Sequence, residues 1–382
     1  MSQPESGTIA FAMKYPDDQG NVWSRIGALY DRVAQRLAGR GLRGLLAFPA
    51  LTDRPAFATP HLERCRVDLL DFTPAHRPGL KHWLLERKVK LVFYCDVEPS
   101  LVDLGLLRGL GIPTINFAQY NFPEIAPPWA KRLFNKVRGL LRLKMHDLTL
   151  ANSRHQYEFL TGWAGLPASR VRLACNGVDT DVFVPAAAGQ RPPAAALGLP
   201  GSDLYALICC QSRPEKRVDF LIEVAAEVFR RRPGLSLTFV YVGDGGLKPT
   251  WMGKAQSLKL GPRFHFAGQQ SHLTPFYQRA DLFLHAPSRE SFGYVLGEAM
   301  ACGLPVISSN AGGPREIVVP GETGWLLPPE DKEGFVKHVL ELVDDAGLRQ
   351  RLGAAGRQRV LKHFSMAAQA DTVAAAIGEL VR

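Results

Sequence analysis

The chain has 382 residues, enough for two cores of ordinary domain size. Its 46% hydrophobic and 21% charged content excludes a disordered or fibrous chain, and no run approaches the ~18 apolar residues of a membrane-spanning helix. The net charge of +10 invites an anionic substrate or surface, but no aromatic-basic module accompanies it, so nucleic acid is not expected as a partner.

The chain begins MSQPESGTIAF, with no basic region leading into an apolar core, so no secretion signal is expected. Gly7 to Tyr15 predicts a first strand, residues 16–21 a turn-rich loop, and Trp23 to Ala38 an amphipathic helix. Strands are expected at Leu42–Phe48, Val67–Phe72, Val89–Cys95 and Thr114–Ala118, with a short helix at Leu101–Leu110. Residues 129–145 form a basic amphipathic stretch in which Trp129, Leu133, Val137, Leu140, Leu141 and Met145 recur at helical spacing. It reads either as a core-packing helix with a solvated basic face or as a helix resting on an anionic membrane surface. Asp147 to Ser153 leads into a helix near Arg154, and Val171–Cys175 precedes Asn176-Gly-Val-Asp179. Residues 186–200, rich in Ala, Pro and Gly, read as a linker between domains at 1–185 and 201–363.

The second half repeats the alternation. Strands are expected at Leu204–Cys210, Leu235–Val242, Arg263–Ala267, Ala280–His285, Leu304–Ser308 and Gly324–Leu327. Two helices fill Lys332–His363 and one more Met366–Val381. Two runs of strand–helix alternation predict an α/β protein of two Rossmann-like parallel-sheet domains. The six cysteines, Cys65, Cys95, Cys175, Cys209, Cys210 and Cys302, are scattered without zinc spacing and read as free thiols in a reducing cytoplasm. No carboxylate cluster suggests a metal.

The stretch from Ala286 to Val319 organises the chemistry. It carries Glu290 and Glu298 eight residues apart, between two strands. Ligands of open parallel sheets bind where a loop beyond a strand feeds a helix. The amides around Ser291 to Gly293 would favour an anion such as a diphosphate. Eight helical residues rise roughly 12 Å, an upper bound on the axial offset between the two acids. Carboxylates are acceptors only, so the pair suits an elongated nucleotide sugar with hydroxyls at both ends. Gly293, Gly297 and Ala301, at four-residue spacing, read as a close-packing face.

Glu290-Ser-Phe-Gly, Gly-Glu298-Ala-Met-Ala-Cys-Gly-Leu-Pro-Val-Ile, Ala311-Gly-Gly-Pro-Arg-Glu316-Ile and Gly321-Glu-Thr-Gly-Trp-Leu together resemble the signature of family 4 of the glycosyltransferases. That resemblance implies the GT-B fold, two Rossmann-like parallel-sheet domains facing an interdomain cleft, and retaining sugar transfer from a nucleotide-sugar donor. It implies that Glu290 meets the donor sugar, Glu298 the ribose, and the 291–294 stretch (Ser291, Phe292, Gly293, Tyr294) the donor. Lys216 matches a diphosphate-binding lysine. The arginine usually five residues before it is Gln211 here, with Arg213 or Arg217 as replacements. Gly243-Asp244-Gly245 resembles a turn near the nucleotide, and Arg263–Ala267 a strand bordering the base. The first loop, Gly-rich in the family, offers only Gly20. Asp17 and Asp18 there suit a helix-capping or acceptor-facing role. Gln119 stands where many relatives place a histidine beside the reacting sugar. The resemblance further implies that residues 364–382 cross back to the first domain. A glycan or lipid-linked acceptor in bacterial surface polysaccharide or glycolipid synthesis is expected, with no cofactor or metal. The expected location is the cytoplasm, peripheral on the inner face of the plasma membrane. Competing readings are a nucleotide-sugar-binding protein without transfer, or an epimerase or hydrolase on the same fold. The spacing of Gly243 to Gly246 fits no dinucleotide fingerprint.

Overall fold

A computed structural model describes residues 7–17, 22–53, 55, 58–118 and 145–381. It divides into two compact units: residues 1–175 with 366–382, and residues 176–365. The expected boundary at 185 and linker at 186–200 therefore shift: 176–200 belong to the second unit. There Val178 donates its amide to the Phe364 carbonyl, and Arg191 bonds the carbonyls of Gln278 and Ala280 and the Asp281 carboxylate.

Among the described residues the first unit holds seven parallel strands: β1 (Gly7–Ala12), β2 (Leu42–Phe48), β3 (Leu62–Arg66), β4 (Val89–Cys95), β5 (Thr114–Ala118), β6 (Leu148–Ala151) and β7 (Val171–Leu173). Their order is β3-β2-β1-β4-β5-β6-β7. Strand β1 is buried at every position, as a parallel strand covered on both faces must be. Its Ile9 and Phe11 join a core with Leu29, Tyr30 and Val33 of the helix Val22–Ala38 and Met366, Val373 and Ile377 of the helix Met366–Leu380. An Arg36–Asp371 ion pair ties those two helices together.

The third strand corrects the sequence-based expectation. It is Leu62–Arg66, not Val67–Phe72, because β3 sits at the sheet edge and buries only Leu62 fully. Val67 and Leu69 are buried from the loop that follows. The helix expected at Leu101–Leu110 is likewise a 3₁₀ turn, Pro99–Leu101, then a helix, Leu104–Gly109, begun by the Asp103 side chain accepting the Leu106 amide. Asp18 lies outside the described residues, and among them Asp17 caps no helix. It is buried, pairs with Arg64 and accepts the Thr52 amide at 2.7 Å.

The second unit holds six parallel strands: β8 (Leu204–Cys209), β9 (Leu237–Val242), β10 (Phe264–Gly268), β11 (Leu282–His285), β12 (Val306–Ser309) and β13 (Gly324–Leu327), in the order β10-β9-β8-β11-β12-β13. Ile208, Phe239 and Leu284 pack against the helices Val218–Arg231 and Lys332–Asp344 through Leu221, Val224, Phe335 and Val339. The helices Tyr294–Ala301 and Ala346–His363 meet where Gly356 lies against Met300.

Candidate active site

Strand order in the second sheet reverses between β8 and β11, so the loops leaving their carboxyl ends run in opposite directions and open a crevice. Lys216 and Glu290 both stand there. Past β8 the chain makes a 3₁₀ turn, Pro214–Lys216, and Arg217 leaves it in the left-handed conformation. Past β11 runs the loop that carries Glu290. The Ser288 amide donates to the Glu215 carbonyl at 2.8 Å and clips the two loops together. Lys216 Nζ donates to Glu290 Oε2 at 2.6 Å.

The Glu290 backbone is held from the far side. Its amide donates to the Ala311 carbonyl and its carbonyl accepts the Gly313 amide, both at 2.8 Å. This parallel bridge needs glycine: a Cβ on Gly313 would stand 2.4–2.6 Å from the backbone N, Cα and O of Phe292. His285, the last residue of β11 and 4% exposed, completes the cluster. Its Nε2 lies 3.4 Å from Glu290 Oε2 and its Nδ1 3.2 Å from Ser308 Oγ, its register partner on β12. Burial alone would raise the Glu290 carboxyl, but His285 and Lys216 outweigh it and hold it at about 2. Burial pushes the His285 imidazole below its ordinary value, and Glu290 opposes that only in part. At neutral pH the cluster is thus a carboxylate facing an ammonium and a neutral ring.

Glu298 lies on the helix Tyr294–Ala301 and is 1% exposed. Its Oε2 accepts the Tyr277 hydroxyl at 2.9 Å. Phe292 is buried too, its ring against Tyr294 and Phe364 at centroid distances of 5.4 and 6.0 Å, so only its backbone can meet a ligand. Ser291 and Tyr294 are half-buried at the helix start, and Gly293 takes φ +99°. Gly293 supplies the carbonyl that accepts the Leu296 amide.

The turn after β9 is fitted against the loop after β8. Ser212 donates its amide to the Asp244 carbonyl at 2.8 Å, and a Cβ on Gly243 would stand 1.9 Å from the Cys210 carbonyl oxygen. The Asp244 carboxylate accepts from the Gly245 amide and pairs with Lys248 at 2.9 Å. Arg213 is exposed at the start of the Lys216 turn. Arg217 is turned elsewhere: it bonds the Pro329 carbonyl and Glu330 and lies over the Phe220 ring. Gly20, Gln119 and residues 129–144 lie outside the described residues. His285, Ser308 and Tyr277 are site-adjacent groups that sequence reasoning did not single out.

Residues 194–359 match the family described as glycosyl transferases group 1, and residues 27–182 the one described as glycosyltransferase family 4. A GDP-mannose-dependent alpha-mannosyltransferase of Mycobacterium tuberculosis is 34% identical over 69% of this chain and 67% of its own length. The chain belongs to family 4 of the glycosyltransferases. Other family relatives align over less. An N-acetyl-alpha-D-glucosaminyl L-malate synthase of Bacillus anthracis is 30% identical over 44% of this chain and 43% of its own. A D-inositol 3-phosphate glycosyltransferase of Streptomyces bingchenggensis is 30% identical over 54% and 48%. The chain thus spans two thirds of the first relative's length and less than half of these two. Among solved structures, a glycosyltransferase from Rickettsia africae superposes with a TM-score of 0.79 at 18% identity, covering 99% of each chain. An Anabaena protein, HepE, in complex with UDP and glucose gives 0.71 at 18%, covering 97% of this chain and 99% of that one. These likenesses identify the family 4 chain as a GT-B fold.

Proposed function

We infer that this family 4 glycosyltransferase moves a sugar from a nucleoside diphosphate donor to a hydroxyl acceptor with retention of configuration. The half-buried Lys216–Glu290 pair at the β8/β11 reversal carries the reading, because one cation and one acceptor at a crevice match a diphosphate and a sugar hydroxyl. In the reaction the C1–O bond to the diphosphate breaks and a bond from the acceptor oxygen to C1 forms on the same face. The acceptor proton passes to the leaving phosphate oxygen. Lys216 and Arg213 offset the charge that develops on the diphosphate, the main electrostatic demand of the step. Glu290 orients the donor sugar, and Glu298, held by Tyr277, faces the ribose. With two cations available for the diphosphate, the reaction is proposed to run without metal. Gln119 is proposed to hydrogen-bond near the reacting sugar without accepting a proton.

The acceptor class rests on charge and on the names of relatives. The mannosyltransferase, the inositol phosphate enzyme and a lipopolysaccharide core glycosyltransferase of Rhizobium meliloti, 34% identical over 38% of this chain, support an envelope glycan or glycolipid acceptor. No helix among the described residues is long and apolar enough to cross a membrane. The net charge of +10 and residues 129–145 support meeting a lipid-linked acceptor at an anionic cytoplasmic surface.

A panel of UDP-, GDP-, ADP- and TDP-sugars tests the reading. One donor at 100 times its dissociation constant should stabilise the protein by about 2.7 kcal/mol. Its sugar should then pass to an envelope lipid extract with the anomeric configuration kept. Donor consumed at the same rate without acceptor would favour hydrolysis or epimerisation, and stabilisation by none would end the proposal.

A further inference from the structure

Both contacts that fix the Glu290 side chain fall on one oxygen. Lys216 Nζ and His285 Nε2 reach Oε2, at 2.6 and 3.4 Å. The two partners differ in how firmly they are held. Lys216 is a half-buried side chain with four rotatable bonds on a turn. His285 belongs to β11 itself and is enclosed between Ser308 at Nδ1 and Phe283, whose ring lies 6.5 Å away, centroid to centroid. A donor diphosphate that engages Lys216, as the proposed function requires, draws the ammonium toward the phosphates. Glu290 then keeps its orientation through the imidazole.

We propose that His285, braced by Ser308, is a positioning residue that aims the Glu290 carboxylate at the donor sugar while Lys216 serves the diphosphate. The ring acts through Glu290 and touches no substrate, since at 4% exposure it has no open face. If Ser308 Oγ turns its proton to Nδ1 rather than to the Ser309 carbonyl, which also lies 3.2 Å from it, a neutral ring carries its own proton on Nε2, directed at Oε2 3.4 Å away, and Oε1 is left to receive a sugar hydroxyl. A charged ring would compete with Lys216 for the same carboxylate.

This inference rests on the proposed function, and its test separates the two. Histidine-selective ¹⁵N NMR of the full-length protein comes first. In the Lys216→Ala variant, the His285 Nε2 should still carry its proton, and adding Glu290→Gln should shift that resonance. A ring that ignores Glu290→Gln overturns the proposal whether or not any donor is turned over. Kinetics with a competent donor come second. His285→Leu should lower kcat by about ten- to a hundredfold with little change in donor KM, the scale expected when a reacting partner is misaimed. His285→Gln, which keeps a donor near the Nε2 position, should recover most of that loss. In a Glu290→Gln background, His285→Leu should cost nothing further. Equal losses in both backgrounds, or a glutamine no better than leucine, would make the residue merely structural. If His285→Leu fails to fold, Ser308→Ala, which removes only the brace, should reproduce the kcat loss in part, and unchanged kcat there would overturn the proposal.

Discussion

The two sheets share one strand order and put it to different use. Each reverses beside its first strand, between β1 and β4 in one and between β8 and β11 in the other. At the β1/β4 reversal Lys14 donates to the backbone carbonyl of Asp96, and Asp17 is buried between Arg64 and the Thr52 amide. At the β8/β11 reversal a lysine and a glutamate hold each other side chain to side chain. Topology supplies the crevice in both places, and the residues grafted at the strand ends decide what each can recognise. A lysine bonded to a backbone carbonyl is structural, whereas one bonded to a side-chain carboxylate can leave that partner for a ligand.

The largest expected effect breaks the comparison at its charged groups. Glu290→Gln should lower sugar transfer by about 10²–10³-fold, the loss seen when one preorganised charge-stabilising contact is removed. Lys14→Met, at the other reversal, should leave donor-induced stabilisation unchanged. Side-by-side donor titrations of the two variants check this, and equal losses would refute the assignment of the donor to the second sheet.

Two glycines give the next effect. A methyl on Gly313 would meet the Phe292 backbone, whereas one on Gly44 of β2 would meet the side chains of Leu62 and Ala34. Gly44→Ala should cost about 1–3 kcal/mol, as overpacking does, with donor binding intact. Gly313→Ala should cost more than that and abolish donor binding, because the Glu290 loop must move. Chemical denaturation with donor present and absent separates the two.

The smallest effect is in acid. Burial holds His146, in the first unit, near 4, below the ordinary 6.5, and Glu290, in the second, is held at about 2, below 4.5. In both cases the unfolded chain takes up the proton first, so the stability each contributes is whole above the higher value and falls away toward the lower. His146→Phe, which preserves a ring beside Tyr94, should flatten the pH dependence of melting between 6.5 and 4. Glu290→Gln should flatten it between 4.5 and 2. Melting curves across pH that show either variant acting in the other's window would contradict the assignment.

Much of this arrangement is legible from the chain alone, and the exceptions have physical causes. Strands β2, β4 and β5 match their expected limits because their mostly buried apolar runs end where turn residues begin, and the half-buried edge strand β13 matches because Gly324 and Pro328 bracket its short apolar run. Strand β3 escapes the pattern because an edge strand reading Leu-Glu-Arg-Cys-Arg looks like loop, while Val67 and Leu69 in the true loop look like strand. Glu290 and Lys216 are visible through motif and strand-end position. Arg217 fits a helper role by its place in the sequence, but a left-handed backbone at that residue aims it at Glu330, which no spacing rule foretells. His285 hides inside an apolar run, and its meaning depends on the β11/β12 register that sets Ser308 beside it. That pairing is a relation between strands, invisible in either one.

The carboxylate resting on Lys216 also sets a threshold for whatever comes to the crevice. On the proposed reading, an incoming anion must draw that ammonium off an acid at bonding distance, which disfavours a singly charged visitor and favours a multiply charged one with further handholds. On that same reading, when a spent diphosphate loosens its grip the acid is already in place to reclaim the ammonium and hasten departure.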